Sequence, residues 1–276
     1  IYDMNSILII TVNYRNTEPT NSLVKSIEKC FHNDKIKLCI VDNDTTVESF
    51  TSLNDIKGTA SFNIEIIRSD KNRFYWGGAK LGLDKYLNDV QKFDWIIVCN
   101  NDIEFNDDKF FQKLSNLNHD EYQIIAPQIK STYSEKDLNP FLLNPISKIQ
   151  DFYYRLYYIS AVTAKLIHKI GRLINQQSTI NNQQSIIQSI YAPHGSCVIF
   201  SNHYFIKGGY LDTNFTMYGE EVSTAEIAKS LDLPIHYLPG LSLVHKDHQS
   251  TGHAPWIENY LHSKETYYYL KKKYRS

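Results

Sequence analysis

Trp95-Ile96-Ile97-Val98-Cys99-Asn100-Asn101-Asp102 is the stretch that decides the fold. Four large apolar residues and a cysteine run without interruption into two amides and a carboxylate. A run with no polar alternation is the pattern of a strand buried on both faces, as in parallel sheets. Polar residues where such a strand stops lie at the carboxyl edge of the sheet, where open α/β folds bind ligands. Asp102 is thereby placed to reach a metal or a phosphate. A strand-end Asx turn is the plain alternative, because Asn and Asp form such turns readily.

Toward the N-terminus the same pattern recurs. Ser6 to Tyr14 reads as a buried strand ending in Asn13, and Lys37 to Asp44 as a second ending in Asp42-Asn43-Asp44. Ile64 to Arg68 is a third, shorter strand. Leu23, Val24, Ile27 and Phe31 recur at helical spacing between the first two. Asn72 to Gly82 reads as a glycine-bearing loop entering a helix near Ala79 to Leu87. Strands alternating with helices in this way predict a mostly parallel sheet with right-handed crossovers. Three strands then deliver polar residues to one edge, which points to a site there. Neither GxGxxG nor a Walker A motif is present, so dinucleotide and P-loop readings lose their main support. Gly77-Gly78 and Gly82 would allow close approach of a nucleotide, although a turn is the commoner use of a glycine pair.

Toward the C-terminus, Ile124 to Ile129 predicts another strand and residues 131–145 a loop. Ile149, Phe152, Leu156, Ile159, Val162, Leu166, Ile170 and Leu173 then predict one long amphipathic helix. Its other faces carry Lys148, Arg155, Lys165, Lys169 and Arg172 against Asp151 alone. Such a helix suits an anionic membrane surface, a second subunit, or the protein's own core. Residues 175–189 read as a polar loop and 191–200 as a strand. Tyr218-Gly219-Glu220-Glu221-Val222 opens a helix, where two acids also suit the helix dipole. Ile235 to Pro239 and Leu241 to His245 are late strand segments, and Trp256 to Tyr274 is a closing helix.

The 276 residues carry a net charge of -1, which gives no electrostatic case for general nucleic-acid binding. No apolar run approaches the roughly 18 residues that span a bilayer, and no signal-peptide pattern is seen. Cys30, Cys39, Cys99 and Cys197 lack CxxC spacing and read as small buried thiols, with the cytoplasm as the expected compartment.

Taken in order, several of these pieces resemble the family 2 glycosyltransferases, inverting enzymes of the GT-A fold, and most closely their bacterial rhamnosyltransferase-like branch. Val12-Asn13-Tyr14 resembles the opening strand motif and Val41-Asp42-Asn43 the VDN motif. Asn72 to Leu83 is similar to the NxGFxGGNNxGL segment that wraps the nucleotide. Asn100-Asn101-Asp102 stands at the DxD-type element, Tyr218 to Val222 resembles YGEDV, and Val244-His245 the late VxH. The resemblance runs from Ile7 to about Gly252, with residues 131–190 outside it. Five departures stand out: Phe74 for a glycine, Ala79 for an Asn, Asn100 for the first acid of DxD (leaving Asp102 as the one carboxylate there), Glu221 for the Asp of the acidic pair, and Ser223 for the Asp two residues on.

The resemblance implies a single α/β domain of GT-A type over residues 1–276, with a mostly parallel central sheet flanked by helices. Residues 1–104 would form the nucleotide-sugar half and 105–276 the acceptor half, with a helical insertion at about 147–176. It implies transfer of a sugar, rhamnosyl or galactosyl in type, from a dTDP- or UDP-sugar to a saccharide acceptor in bacterial surface polysaccharide (O-antigen or capsule) synthesis. Thr11, Asn13, Asp42, Asn72, Gly77, Gly78, Lys80, Asn100 and Asn101 would contact the donor. Asp102 and His245 would hold Mg²⁺ or Mn²⁺. Glu221, with Glu220 in reserve, would be the base. The acceptor, in one version lipid-linked, would meet the loop His194-Gly195-Ser196, the residues after Met217 and the 149–173 helix, with the protein peripheral at the inner face of the cell membrane or paired as a homodimer. Two other readings remain. A nucleotidyltransferase usually carries a glycine-rich basic loop after its first strand, and Asn13-Tyr14-Arg15-Asn16 has no glycine. A catalytically degenerate nucleotide-sugar or glycan-binding protein would keep the fold without turnover.

Overall fold

The computed structural model describes residues 6–30, 35–174, 186–246 and 255–275. Its first half alternates strand and helix: β1 (Ser6–Asn13), α1 (Glu18–Cys30), β2 (Lys35–Asp42), α2 (Val47–Thr59), β3 (Asn63–Arg68), α3 (Phe74–Asp84), a 3₁₀ helix (Leu87–Lys92) and β4 (Trp95–Asn100). Then come β5 (Ile103–Phe105), α4 (Phe110–Ser115), β6 (Ile124–Ser131), α5 (Lys148–Tyr157), α6 (Ala161–Ile174), β7 (Gln188–Ile190), β8 (Cys197–Ser201), α7 (Asn202–Ile206), α8 (Glu220–Ser230), β9 (Ile235–His245) and α9 (Trp256–Tyr274). The described strands form one nine-stranded sheet in the order β3-β2-β1-β4-β8-β6-β9-β5, with β7 paired to β9. β1 to β4, β6 and β9 run one way; β5, β7 and β8 run against them. The mostly parallel sheet expected from the sequence is present.

Apolar residues on successive positions of one strand must point to opposite faces, and here both faces are covered. Leu8, Ile10 and Val12 of β1 join one buried cluster with α3, α8 and α9; Ile7 and Ile9 join another with α1 and α4. Two glycines explain how closely α3 lies on the sheet. A Cβ at Gly78 would fall 2.9 Å from both γ-carbons of Val12, and one at Gly82 would fall 2.9 Å from Ile10.

Several boundaries differ from the sequence reading. The glycine pair lies inside α3, which begins at Phe74, so the expected loop from 72 to 82 is mostly helix. The long helix at 149–173 is two helices. Ser160 interrupts it: its hydroxyl accepts from the Thr163 amide at 3.1 Å, an N-cap that restarts the helix. The expected strand at 191–200 is instead β7, a loop and β8, and the two late segments are the single strand β9. Phe31, most of the 175–189 segment and the Ser250–Gly252 loop fall outside the described residues. The four thiols are free and buried, and among the described residues no helix is long and apolar enough to cross a membrane.

Candidate active site

Parallel strands end together, and β1, β2 and β4 bring Asn13, Asp42 and Asn100 to one edge of the sheet. Two polar groups assemble there. In the first, Asn101 Nδ2 donates to Thr20 Oγ1 at 3.0 Å, and Thr20 Oγ1 donates to Asn13 Oδ1 at 2.8 Å. Asn13 Nδ2 donates to Ser49 Oγ at 3.2 Å, and Ser49 Oγ donates to Asp42 Oδ1 at 2.8 Å. Ser49 is held in place by its backbone, whose amide donates to the Thr46 cap of α2. The other carboxylate oxygen of Asp42 is buried with no hydrogen-bond partner, and burial pushes the Asp42 pKa up. An orphaned buried acceptor is costly unless a ligand completes it.

The second group begins at Asp102. β5 pairs antiparallel with β9, placing Ile103 opposite His245. The Asp102 carboxylate then lies 3.0 Å from His245 Nε2, with the two residues only 6% and 9% exposed. The His194 ring stands 6.3 Å from that of His245, and its Nδ1 meets Ser196 Oγ at 2.8 Å. Between them, the Gly195 amide donates to Glu221 Oε1 at 3.3 Å, and the Gly195 carbonyl accepts from the Tyr75 hydroxyl at 3.0 Å. No side chain fits at residue 195, since a Cβ there would lie 2.4 Å from Glu220 Cγ. Glu220 Oε2 accepts from the Gly219 amide at 2.9 Å. Burial, and for Glu221 also the neighbouring Glu220 charge, holds both carboxyl groups above the usual glutamate range.

The remaining sequence-derived positions are more scattered. Asn72 Oδ1 accepts from the Phe74 amide and Asn43 Nδ2 donates to the Phe74 carbonyl, both at 2.8 Å. These two bonds clamp Phe74 at φ 57°, the left-handed region that favours glycine, and its ring packs edge-on to His262 of α9 at 6.0 Å. Gly77 and Gly78 lie in the first turns of α3. Lys80 is paired with Asp84 one turn on, at 2.6 Å. Thr11 is fully buried in β1, opposite Cys99 of β4. Asn100 lies at the end of β4, where its amide donates to the Ser196 carbonyl. Thr20 and Ser49, which bridge the strand ends, escaped the sequence reading. They come from helices and no strand-end pattern marks them.

Asp102 and His245 offer one carboxylate oxygen and one imidazole nitrogen converging at a sheet edge. This donor pair fits a divalent cation that tolerates nitrogen, such as Mn²⁺, provided the ligand supplies oxygens.

A low-salt glycan biosynthesis hexosyltransferase, Agl10 of Haloferax volcanii, is 23% identical over 244 residues, 88% of this chain and 67% of that protein. Among solved structures, a mannosyltransferase from Pyrobaculum calidifontis, in complex with GDP-Man and Mn²⁺, matches with a TM-score of 0.56 at 11% identity. GalNAc-T7 with UDP, GalNAc and Mn²⁺ matches at 0.60 and 12%, and residues 1–349 of S. aureus TarS at 0.57 and 10%. The alignments cover 91%, 95% and 87% of this chain but only 59%, 48% and 60% of those structures, and at such identities they establish the GT-A fold alone. The model of the family described as glycosyl transferase family 2 matches residues 6–205, from the start of β1 into α7, and so takes in the strand ends and the Asp102 turn. The chain belongs to glycosyl transferase family 2 and is a glycosyltransferase.

Proposed function

We propose that this protein is an inverting hexosyltransferase, rhamnosyl or galactosyl in type, that moves a sugar from a dTDP- or UDP-sugar to a saccharide acceptor during surface polysaccharide synthesis. The contact between Asp102 and His245 at the sheet edge, linked through His194 and Gly195 to Glu221, carries this reading. Residues 1–104 hold the donor and 105–276 meet the acceptor. The unpaired oxygen of Asp42 accepts the imide N–H of uracil or thymine, a donor that cytosine lacks. Asn13, Asn72, Gly77, Gly78, Asn100 and Asn101 shape the donor cleft; Thr11 and Lys80 act on it indirectly, from the sheet interior and from the outer side of α3.

Bound by Asp102, His245 and the diphosphate, Mn²⁺ or Mg²⁺ would supply Lewis-acid neutralisation of the leaving group's charge. Glu221 takes the proton from the acceptor hydroxyl as that oxygen bonds to the anomeric carbon from the face opposite the departing diphosphate. The raised pKa of Glu221 makes it a stronger base than an exposed glutamate. Glu220 lies beside it and is held more tightly, its Oε2 accepting from the Gly219 amide at 2.9 Å against 3.3 Å for the Gly195 amide on Glu221.

Isothermal calorimetry with UDP, dTDP, CDP and GDP, with and without Mn²⁺, on wild type and Asp102→Ala tests the donor site. The expected outcome is Mn²⁺-dependent binding of UDP or dTDP, weakened at least ~10-fold by the substitution, the scale of one lost charge-assisted contact. Binding of GDP alone would replace the pyrimidine assignment, and binding of none would remove the donor site.

A further inference from the structure

We propose a second metal site, selective for Zn²⁺, built from His119, Asp120 and His203 at the edge of the sheet opposite the candidate active site. His119 and Asp120 lie in the turn between α4 and β6, and His203 lies in α7 just after β8. One ligand atom from each falls within 4.8 Å of the other two. His203 Nδ1 is 2.8 Å from Asp120 Oδ1, and His119 Nδ1 is 3.9 Å from the same oxygen. The rings of the two histidines meet edge-on at 5.0 Å.

An ion pair between Asp120 and His203 accounts for only part of this arrangement. His119 Nδ1 is buried and makes no hydrogen bond. The other nitrogen of the same ring, Nε2, lies 3.5 Å from Asp94 Oδ1. Asp94 is itself fixed: its second carboxylate oxygen accepts from the Ser6 amide at 3.0 Å, and its carbonyl accepts from the Asn202 amide beside His203 at 3.2 Å. A carboxylate facing Nε2 favours the tautomer with the proton on that nitrogen, leaving the Nδ1 lone pair available on the side of Asp120. Histidine ligands of zinc are commonly oriented by such a carboxylate.

Two imidazoles and one carboxylate match Zn²⁺, which takes such ligands at about 2.0–2.2 Å and keeps a fourth position for water. Two nitrogen donors of three disfavour Mg²⁺ and Ca²⁺, which prefer oxygen. The exposed Asp120 carboxylate leaves that fourth position open to solvent. β4 runs from Trp95, against the His119 ring, to Asn100 beside Asp102, so the two sites are roughly 20 Å apart. Bound zinc would tie the α4–β6 turn to α7.

The test is Zn²⁺ bound per chain, by equilibrium dialysis with elemental analysis, for wild type, Asp102→Asn, His119→Gln/His203→Gln and Asp94→Asn, all checked for fold by circular dichroism. Wild type and Asp102→Asn should each hold one equivalent, and the double variant none. Asp94→Asn should bind about 10–100-fold more weakly, which an adventitious surface pair would not do. Zn²⁺ should raise the melting temperature of wild type but not of the double variant, and Co²⁺ should give the intense visible absorption of a four-coordinate site. Zinc retained by the double variant, lost in Asp102→Asn, or not bound by wild type would overturn the proposal. The wild-type and Asp102→Asn arms separate its failure from that of the donor site.

Discussion

Glu221 carries two expectations that pull in opposite directions. As the base it must be ionised, so activity should fall as pH drops through its raised pKa, above the usual glutamate range. Glu221→Gln should lower kcat by roughly 10²–10⁴-fold, the usual worth of general-base help, and remove that limb of the pH profile. Stability should move the other way. A carboxyl whose folded pKa lies above its unfolded value makes the folded state bind its proton more tightly, so stability falls as pH rises from the unfolded pKa through the folded one. Gln has no such dependence. Glu221→Gln should therefore melt higher than wild type at pH 8, with the difference vanishing near pH 4. The same melting difference at both pH values would mean that the Glu221 carboxyl is not raised in the folded protein.

At the scale of the element, α3 shows what close packing demands. Gly82→Ala would press a methyl group to 2.9 Å of Ile10 and 3.0 Å of Val41. The expected cost is about 1–3 kcal/mol in denaturant unfolding, as for other overpacked cores; a smaller cost would mean that α3 lifts freely from the sheet. The sequence was readable wherever one local pattern had one cause. Unalternating runs such as Ile96 to Cys99 marked the central strands, and their polar endings marked the site edge. It was unreadable where apolar spacing passed through a break: Leu156, Ile159 and Val162 keep helical phase across the Ser160 cap. The start of α3 was hidden for a related reason, since glycines read as loop signals while here they serve helix-to-sheet contact. Thr20, Ser49 and the His119–His203 cluster arise from long-range packing that no spacing encodes.

Over the whole molecule, α5 and α6 stand apart. α5 has no buried residue. Tyr154 and Tyr158 pack on Tyr267 of α9, and Tyr157 on Tyr260, while Ile149, Phe152 and Val162 are 82%, 61% and 78% exposed. The one acid of this pair, Asp151, is drawn inward to Lys271 and Tyr267 at 2.5 and 2.7 Å; Lys148 and Lys169 are exposed, while Lys165 lies over the Trp256 ring of α9. Exposed apolar side chains with exposed lysines on the same two helices would suit an anionic bilayer surface, which would also present a lipid-linked acceptor. The protein should co-sediment with phosphatidylglycerol vesicles at low salt, and less with phosphatidylcholine vesicles or at high salt. Phe152→Glu/Val162→Glu should abolish the binding. Dimerisation without vesicle binding would assign this face to a second copy instead.

The hydrogen bonds from Asn101 through Thr20, Asn13 and Ser49 to Asp42 all donate in one direction, and each bond of such a chain polarises the next. On the proposed reading its two ends flank the base and the diphosphate of one donor, so the chain would hold both contact points in fixed relation before the donor binds. The order that binding would otherwise impose on these side chains is already present after folding. On that reading the protein would lose little conformational entropy when the donor binds.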